Sequence, residues 1–310
     1  MLDLYSIGEM VIDFVPGSEE GSYLRNAGGA PANVTIAVAR NGLSAGLMCS
    51  VGEDDFGRFL MQTLKDNQVK ILHPELCRKA ITTMAFVTLK ENGERSFTFA
   101  RKPGADMFIE EKDIDEETIR DSVIVHAGSC SLSASPAAEA TEKALKTASR
   151  FGKLVSFDVN YRNLMWNDDM EACIRRVSGI LPFVDILKIS EEELCFLGSE
   201  EKIPARMKKD GIALVVETLG SKGARCFFKG KSFDIPGRKA KAVDATGAGD
   251  AFWGGFLSRL RFQGVTSASM LTEENIRSAM EYGNVSGWIC VQHKGAISSL
   301  PTREEIEKYL

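Results

Sequence analysis

Along this chain, short runs rich in valine, isoleucine, leucine and phenylalanine alternate with longer stretches in which apolar residues recur every three or four positions. The runs LDLYSIG, SAGLMCSVG, SVIVHAG, KLVSFDV, DILKIS and IALVVETLG have the length and branching of buried strands. Between them, Phe56 to Asn67, Pro136 to Phe151 and Met170 to Leu181 carry the helical period. Pro136 after Ser135 suits a first helical position behind an N-cap, and Gly152 suits the stop. Strand and helix repeated in this way predict an α/β fold whose mainly parallel sheet is covered on both faces.

One region breaks the alternation. ITTMAFVTLKENGERSFTFA reads as two strands joined at Asn92-Gly93, a strong hairpin signal, with no helix between them. A second extended piece, Ile12 to Arg25, could pair with it to form a small sheet projecting as a lid. The chain shows no internal repeat and no low-complexity linker, so the expectation is one domain over 1–310, with a lid contributed by 12–26 and 80–103.

The 310 residues suffice for a large core, and the formal net charge of −5, without a cluster of lysine and arginine, argues against a nucleic-acid partner. Seven cysteines are scattered without a C-x-x-C pair, which fits reduced thiols. Asp3 and Glu9 interrupt the opening residues where a signal peptide would be basic and then apolar, and no apolar run approaches bilayer length. A soluble cytoplasmic protein without a membrane partner is expected.

The stretch from Asp244 to Gly255, DATGAGDAFWGG, places four glycines around Asp250. It is not a Walker loop, and the dinucleotide fingerprint fails because Phe252 stands where its third glycine belongs. Phe252, Phe256 and Leu260 follow a helical stripe, so a helix begins near Gly249 with Asp250 in its first turn, and Gly254 and Gly255 allow a close neighbour. Free N–H groups at a helix start favour an anion, and a carboxylate in the same place can serve as a base. That combination suits phosphoryl transfer to an alcohol, in which an aspartate of ordinary pKa, about 3.9, accepts the proton late. The alternative is that Asp250 only complements the helix dipole and the glycines only pack.

A second glycine turn, AGGAPANVTIAVARNG over Ala27 to Gly42, also leads into a helix, with Pro31 in its first turn and a stripe at Val34, Ala37 and Val38. In this order, AGGAPANVTIAVARNG and DATGAGDAF resemble the two signatures of the ribokinase-like (PfkB) family of carbohydrate kinases. The likeness runs from GEMVIDF to GAISSLPTREEIEKYL. It implies a three-layer α/β sandwich with a small β-sheet lid, and ATP and Mg2+ as cofactors. By the same resemblance Asp250 is the base, with the N–H groups of Ala248, Gly249 and Asp250 as the anion hole and Gly247 in the same catalytic turn, and Asp13, Gly28, Gly29 and Asn33 hold the sugar.

SEEEL, Ser190 to Leu194, occupies the place of the family's N-x-x-E motif and makes Glu193 the candidate that arranges Mg2+ through water. Ser190 departs from the usual asparagine, and Ser190-x-x-Glu193 is equally a capping box. Lys188, Thr218, Gly220, Gly223 and Asn284 fall where the family binds the nucleotide, although a hairpin turn and a helix face would explain the last four as well. Asp244 and Thr246, with Lys294 to Ala296, correspond to a site where many members hold a monovalent cation, so K+ is a third cofactor the resemblance allows.

The segment RSFTFARKPGADM, Arg95 to Met107, is similar to the lid return of the fructokinases in this family, which implies fructose as substrate. Phe99, Arg101 and Arg162 are the further sugar-side candidates, and of the two arginines Arg101 is weighted above Arg162. A kinase of 2-keto-3-deoxygluconate or of another sugar is the alternative, and a non-catalytic sensor the remote one. Apolar residues on lid strands with bare edges, Phe86, Phe97 and Phe99, suggest a homodimer joined through the lids.

Overall fold

The computed structural model describes residues 1–19, 21–89 and 95–310. Among the described residues thirteen strands are formed: β1 (Leu2–Ile7), β2 (Val11–Pro16), β3 (Tyr23–Gly28), β4 (Ala45–Met48), β5 (Lys70–Ile71), β6 (Met84–Leu89) and β7 (Arg95–Ala100) come first. Then follow β8 (Ser122–Gly128), β9 (Leu154–Asp158), β10 (Ile186–Ser190), β11 (Leu214–Thr218), β12 (Gly223–Phe228) and β13 (Lys231–Pro236). The helices include α1 (Ala30–Arg40), α2 (Asp55–Asp66), α3 (Glu116–Arg120), α4 (Ala137–Arg150), α5 (Met170–Ile180), α6 (Ile203–Asp210), α7 (Ala248–Phe262) and α8 (Glu273–Cys290).

Nine strands make the central sheet in the order β13-β12-β11-β10-β9-β8-β1-β4-β5. All pairs from β11 to β5 are parallel, and β12 and β13 extend one edge antiparallel. Every one of the six apolar runs forms a strand of this sheet. Neighbouring residues along a strand enter opposite cores: Val125, Val155, Leu187 and Val215 pack with α4, α5 and α6, while Ile124, Leu154, Ile186 and Leu214 pack with α1, α7 and α8. Such two-sided burial is why the strands read as continuous apolar runs rather than alternating ones.

The edge pair β12–β13 was not among the predicted strands. Its loop is Lys229-Gly230, both with positive φ (47° and 75°), a two-residue hairpin that sequence reading passes over because lysine is an unusual residue at such a position. The helix α4 begins at Ala137 rather than Pro136. Pro136 is its N-cap, and the Ser135 hydroxyl donates to the Glu139 carboxylate (2.8 Å) instead of capping a backbone N–H. Gly152 follows the end of α4 in the left-handed conformation, φ 64°, as its position suggested.

A separate four-stranded sheet has the order β3-β2-β6-β7, with β2 and β6 parallel and the outer pairs antiparallel. The Asn92-Gly93 turn lies outside the described residues. One face of this sheet carries Phe14, whose ring stacks on Phe86 at 4.9 Å and meets Phe56 of α2 edge-on at 5.5 Å, so the small sheet is seated against the main body. No helix among the described residues is long and apolar enough to cross a membrane.

Candidate active site

The carboxyl ends of β9, β10 and β11, the starts of α1 and α7, and β2 of the small sheet converge on one place, the position at which open parallel sheets present ligand sites. Two helices bring the first groups in. Gly254 of α7 lies so close to α1 that a Cβ would approach Ala37 Cβ to 2.4 Å, and Gly255 faces Ser286 of α8, where a Cβ would approach to 2.9 Å. This close packing sets the N-termini of α1 and α7 side by side, and the Asn33 amide donates to Asp250 Oδ2 at 2.7 Å.

Asp250 is 7% exposed, in the first turn of α7 behind Gly247, whose φ is 79°. A Cβ on Gly247 would press on Ala296 at 2.9 Å. Loss of water pushes the Asp250 carboxyl up to about 6, with Asp158 adding to the rise and Asn33, Lys188 and Arg162 opposing it. The ordinary acidity assumed from sequence is therefore corrected: this carboxylate is a stronger base, because it is buried. Asp13, on β2, is likewise raised by burial to about 6, while the Arg162 charge lowers it and Asp250 raises it.

The glycine pair at the start of α1 has an internal cause. A Cβ on Gly28 would fall 2.3 Å from Asp13 Oδ2, and one on Gly29, at φ 110°, would fall 2.5 Å from the Glu9 carbonyl oxygen. Glu9, buried at 4% exposure, accepts the Ala30 N–H (3.2 Å) at a helix start that has no side-chain cap of its own. Sequence reading missed Glu9 as part of the site. An acid just after an apolar strand, in Gly8-Glu9, was the available signal.

The two arginines sit in different surroundings. Arg101 is almost buried, with Nε donating to Asp106 Oδ2 (2.9 Å), Nη1 to the Met165 carbonyl (3.2 Å) and Nη2 to Ser133 Oγ (3.0 Å). Its donors fasten the return of the small sheet to the main body. Arg162 instead stays open to solvent at the rim. Crowding by protein would lower its pKa, but the Cys130 thiol and the carboxylates of Asp250, Asp158 and Glu193 raise it on balance. Phe99, on β7, packs partly buried against the main core.

Lys188 and Asp158 stand opposite each other on β10 and β9 and form a buried ion pair of 2.8 Å. The Lys188 Nζ lies 3.6 Å from where a Cβ of Gly249 would be, beside the start of α7. Glu193 closes a capping box: its Oε2 accepts the Ser190 N–H (2.8 Å) and its Oε1 the Tyr161 N–H (2.6 Å). Both oxygens keep a further lone pair, so the carboxylate is fixed in place and still able to accept from water.

Further out, the Thr218 hydroxyl points to the Ile189 carbonyl at 3.4 Å. Gly220 and Gly223, at φ 56° and 105°, shape the turn from β11 to β12. Asn284 of α8 donates to the carbonyls of Ile235 and Pro236, both at 3.2 Å, and so ties α8 to the end of β13. Asp244 accepts from the Thr246 N–H (3.0 Å) and hydroxyl (2.7 Å) and from the Gly295 N–H (3.1 Å), which joins the loop before α7 to the Lys294–Ala296 loop. Within the inner group, Asn33 Oδ1, Asp158 Oδ1 and Glu9 Oε2 are buried without a hydrogen-bond partner among the described residues. Buried acceptors left in this way mark a place built for further polar contact.

The chain matches the model of the pfkB family of carbohydrate kinases over residues 1–303. It is 38% identical to probable fructokinase-5 of Arabidopsis thaliana across 99% of this chain and 97% of that protein. Among solved structures, a fructokinase from Xylella fastidiosa with bound ATP superposes with a TM-score of 0.91 at 28% identity, covering 99% of this chain and 98% of that one. A fructokinase from Vibrio cholerae O395, solved with fructose, ADP and a calcium ion, gives a TM-score of 0.88 at 34% identity, covering 99% and 98% of the two chains. A double mutant of the latter is solved with fructose, ADP and a potassium ion.

Proposed function

The chain belongs to the pfkB family of carbohydrate kinases, and we propose that it transfers the γ-phosphoryl of ATP to a hydroxyl of D-fructose. The observation that carries this reading is the buried Asp250 carboxylate, held by Asn33 in the first turn of α7 with the Lys188 ammonium beside that turn. A base and a preorganised positive site share one dry place, which is what in-line transfer to an alcohol requires.

In this reading Asp250 accepts the hydroxyl proton as the new P–O bond forms, and the N–H groups at Ala248 to Asp250 face the charge on the phosphoryl. Asp13 and Asn33 orient the sugar, Arg162 guards the rim, and the small sheet closes over the site as a lid, all within one domain. Lys188, Thr218, Gly220, Gly223 and Asn284 line the nucleotide side. Mg2+ bound to ATP would neutralise phosphate charge, with Glu193 orienting its water shell. Asp244 and Thr246, hard oxygen donors next to the α7 turn, suit a monovalent cation such as K+. The free thiols support a cytoplasmic location, and two copies pair through the free edge of β3.

Fructose is preferred because the Arg95–Met107 segment and the relatives' names agree. A panel of fructose, 2-keto-3-deoxygluconate, ribose and other sugars, read by ADP release, tests this. Fructose should give the highest kcat/KM; preference for 2-keto-3-deoxygluconate would overturn the substrate and leave the chemistry standing.

A further inference from the structure

We infer that Asp158 is a positioning residue for the transfer: its carboxylate anchors Lys188 beside the first turn of α7 and keeps that ammonium from neutralising Asp250. The inference rests on the phosphoryl-transfer reading above.

Asp158 is the last residue of β9, in register with Lys188 on β10. Both side chains lie on the sheet face that α7 covers. Two residues before Asp158, Ser156 Oγ accepts from Trp253 Nε1 of α7 at 3.0 Å, and two residues before Lys188, Ile186 packs in the core with Trp253 and Phe256. The ion pair is 2.8 Å long and its side chains are 6% and 2% exposed. An ammonium so deeply buried must stay paired, because leaving it alone is strongly destabilising.

Three carboxylates act on Lys188: Asp158, Glu193 and Asp250, of which Glu193 is already held by the N–H groups of Ser190 and Tyr161. Pairing with Asp250 would cancel the charge of the base. Pairing with Asp158 instead leaves Lys188 Nζ next to Gly249, where the moving phosphoryl would sit, while the Asn33 amide alone occupies Asp250 Oδ2. Asp158 Oδ1 is buried without a hydrogen-bond partner among the described residues, and Lys188 is the group that donates to this carboxylate.

The groups that face Asp250 are Asp158 and Lys188 from the sheet, Arg162 from the loop after β9, Asp13 from the small sheet, Asn33 from α1 and the Cys290 thiol from α8. Against that set, Asp158→Asn acts twice in one direction. It removes a carboxylate that raises the Asp250 pKa, and it frees Lys188 to pair with Asp250, which lowers that pKa again.

The test is the pH dependence of kcat/KM for fructose. Asp158→Asn should move the acid limb to lower pH by about one unit and reduce the plateau kcat by about 10- to 100-fold. Lys188→Met should move the limb upward, and the double variant should return it close to wild type without restoring kcat. A purely structural Asp158 would lower the plateau and leave the limb in place. An unmoved or raised limb in Asp158→Asn overturns the inference; if that variant does not fold, an unmoved limb in Lys188→Met does so. A wild-type protein that phosphorylates no sugar would instead remove the reading on which the inference rests.

Discussion

At the residue scale, Asp250 combines a functional requirement with a cost to stability. Its folded pKa, about 6, lies above the ordinary aspartate value of 3.8, so its ionisation opposes folding. The associated stability is fully present below the lower value and is lost as pH rises through the upper one. Asp250→Asn should therefore be more stable than wild type at pH 8 by about 1 to 3 kcal/mol, with the difference closing only below about pH 4 in urea unfolding. The acid limb of wild-type kcat/KM should fall near pH 6, since the base must be ionised and its raised pKa sets where it ionises. Asn33→Ala removes a donor that lowers the Asp250 pKa, so the limb should move upward and the sugar KM should rise. A change in KM with the limb unmoved would separate Asn33 from the base.

At the element scale, the contact between α1 and α7 is what brings Asn33 to Asp250. Gly254→Ala would put a methyl 2.4 Å from Ala37 Cβ and 3.2 Å from the Val34 carbonyl. The helices must separate, so thermal stability should fall by an amount typical of overpacking, about 1 to 3 kcal/mol, and turnover should fall with it. A fully active, equally stable variant would show that this spacing does not set the site. The strands under α7 and the helix itself were legible in the sequence, because buried parallel strands and a Phe252-Phe256-Leu260 stripe leave strong periodic signals. The β12–β13 hairpin was not, since its turn is Lys229-Gly230. Nor could sequence decide between capping and chemistry at Ser190-x-x-Glu193, where one carboxylate satisfies the box and Tyr161 together. Arg101 and Arg162 look alike on paper. Only tertiary structure shows that Asp106, Ser133 and Met165 occupy the first.

At the scale of the whole molecule, the proposed reading gives the small sheet two roles, access and assembly. Phe86 is stacked within it, Phe99 packs on the main core, and the Phe97 side chain lies outside the described residues; among the described side chains of the sheet, the exposed apolar ones are Tyr23 and Leu24 of the edge strand β3, 46% and 60% exposed. If two copies pair there, Leu24→Asp should shift sedimentation from dimer to monomer, whereas a wild-type monomer at micromolar concentration would refute the pairing. The central question for the molecule is whether this buried aspartate drives phosphoryl transfer. The most direct measurement is steady-state ADP release from Mg-ATP with fructose, comparing wild type with Asp250→Ala, beside calorimetric binding of both ligands. The expected result is fructose-dependent turnover in wild type and a loss of about 10²-fold or more in kcat in the variant, with both ligands still bound. Near wild-type turnover by Asp250→Ala would contradict it.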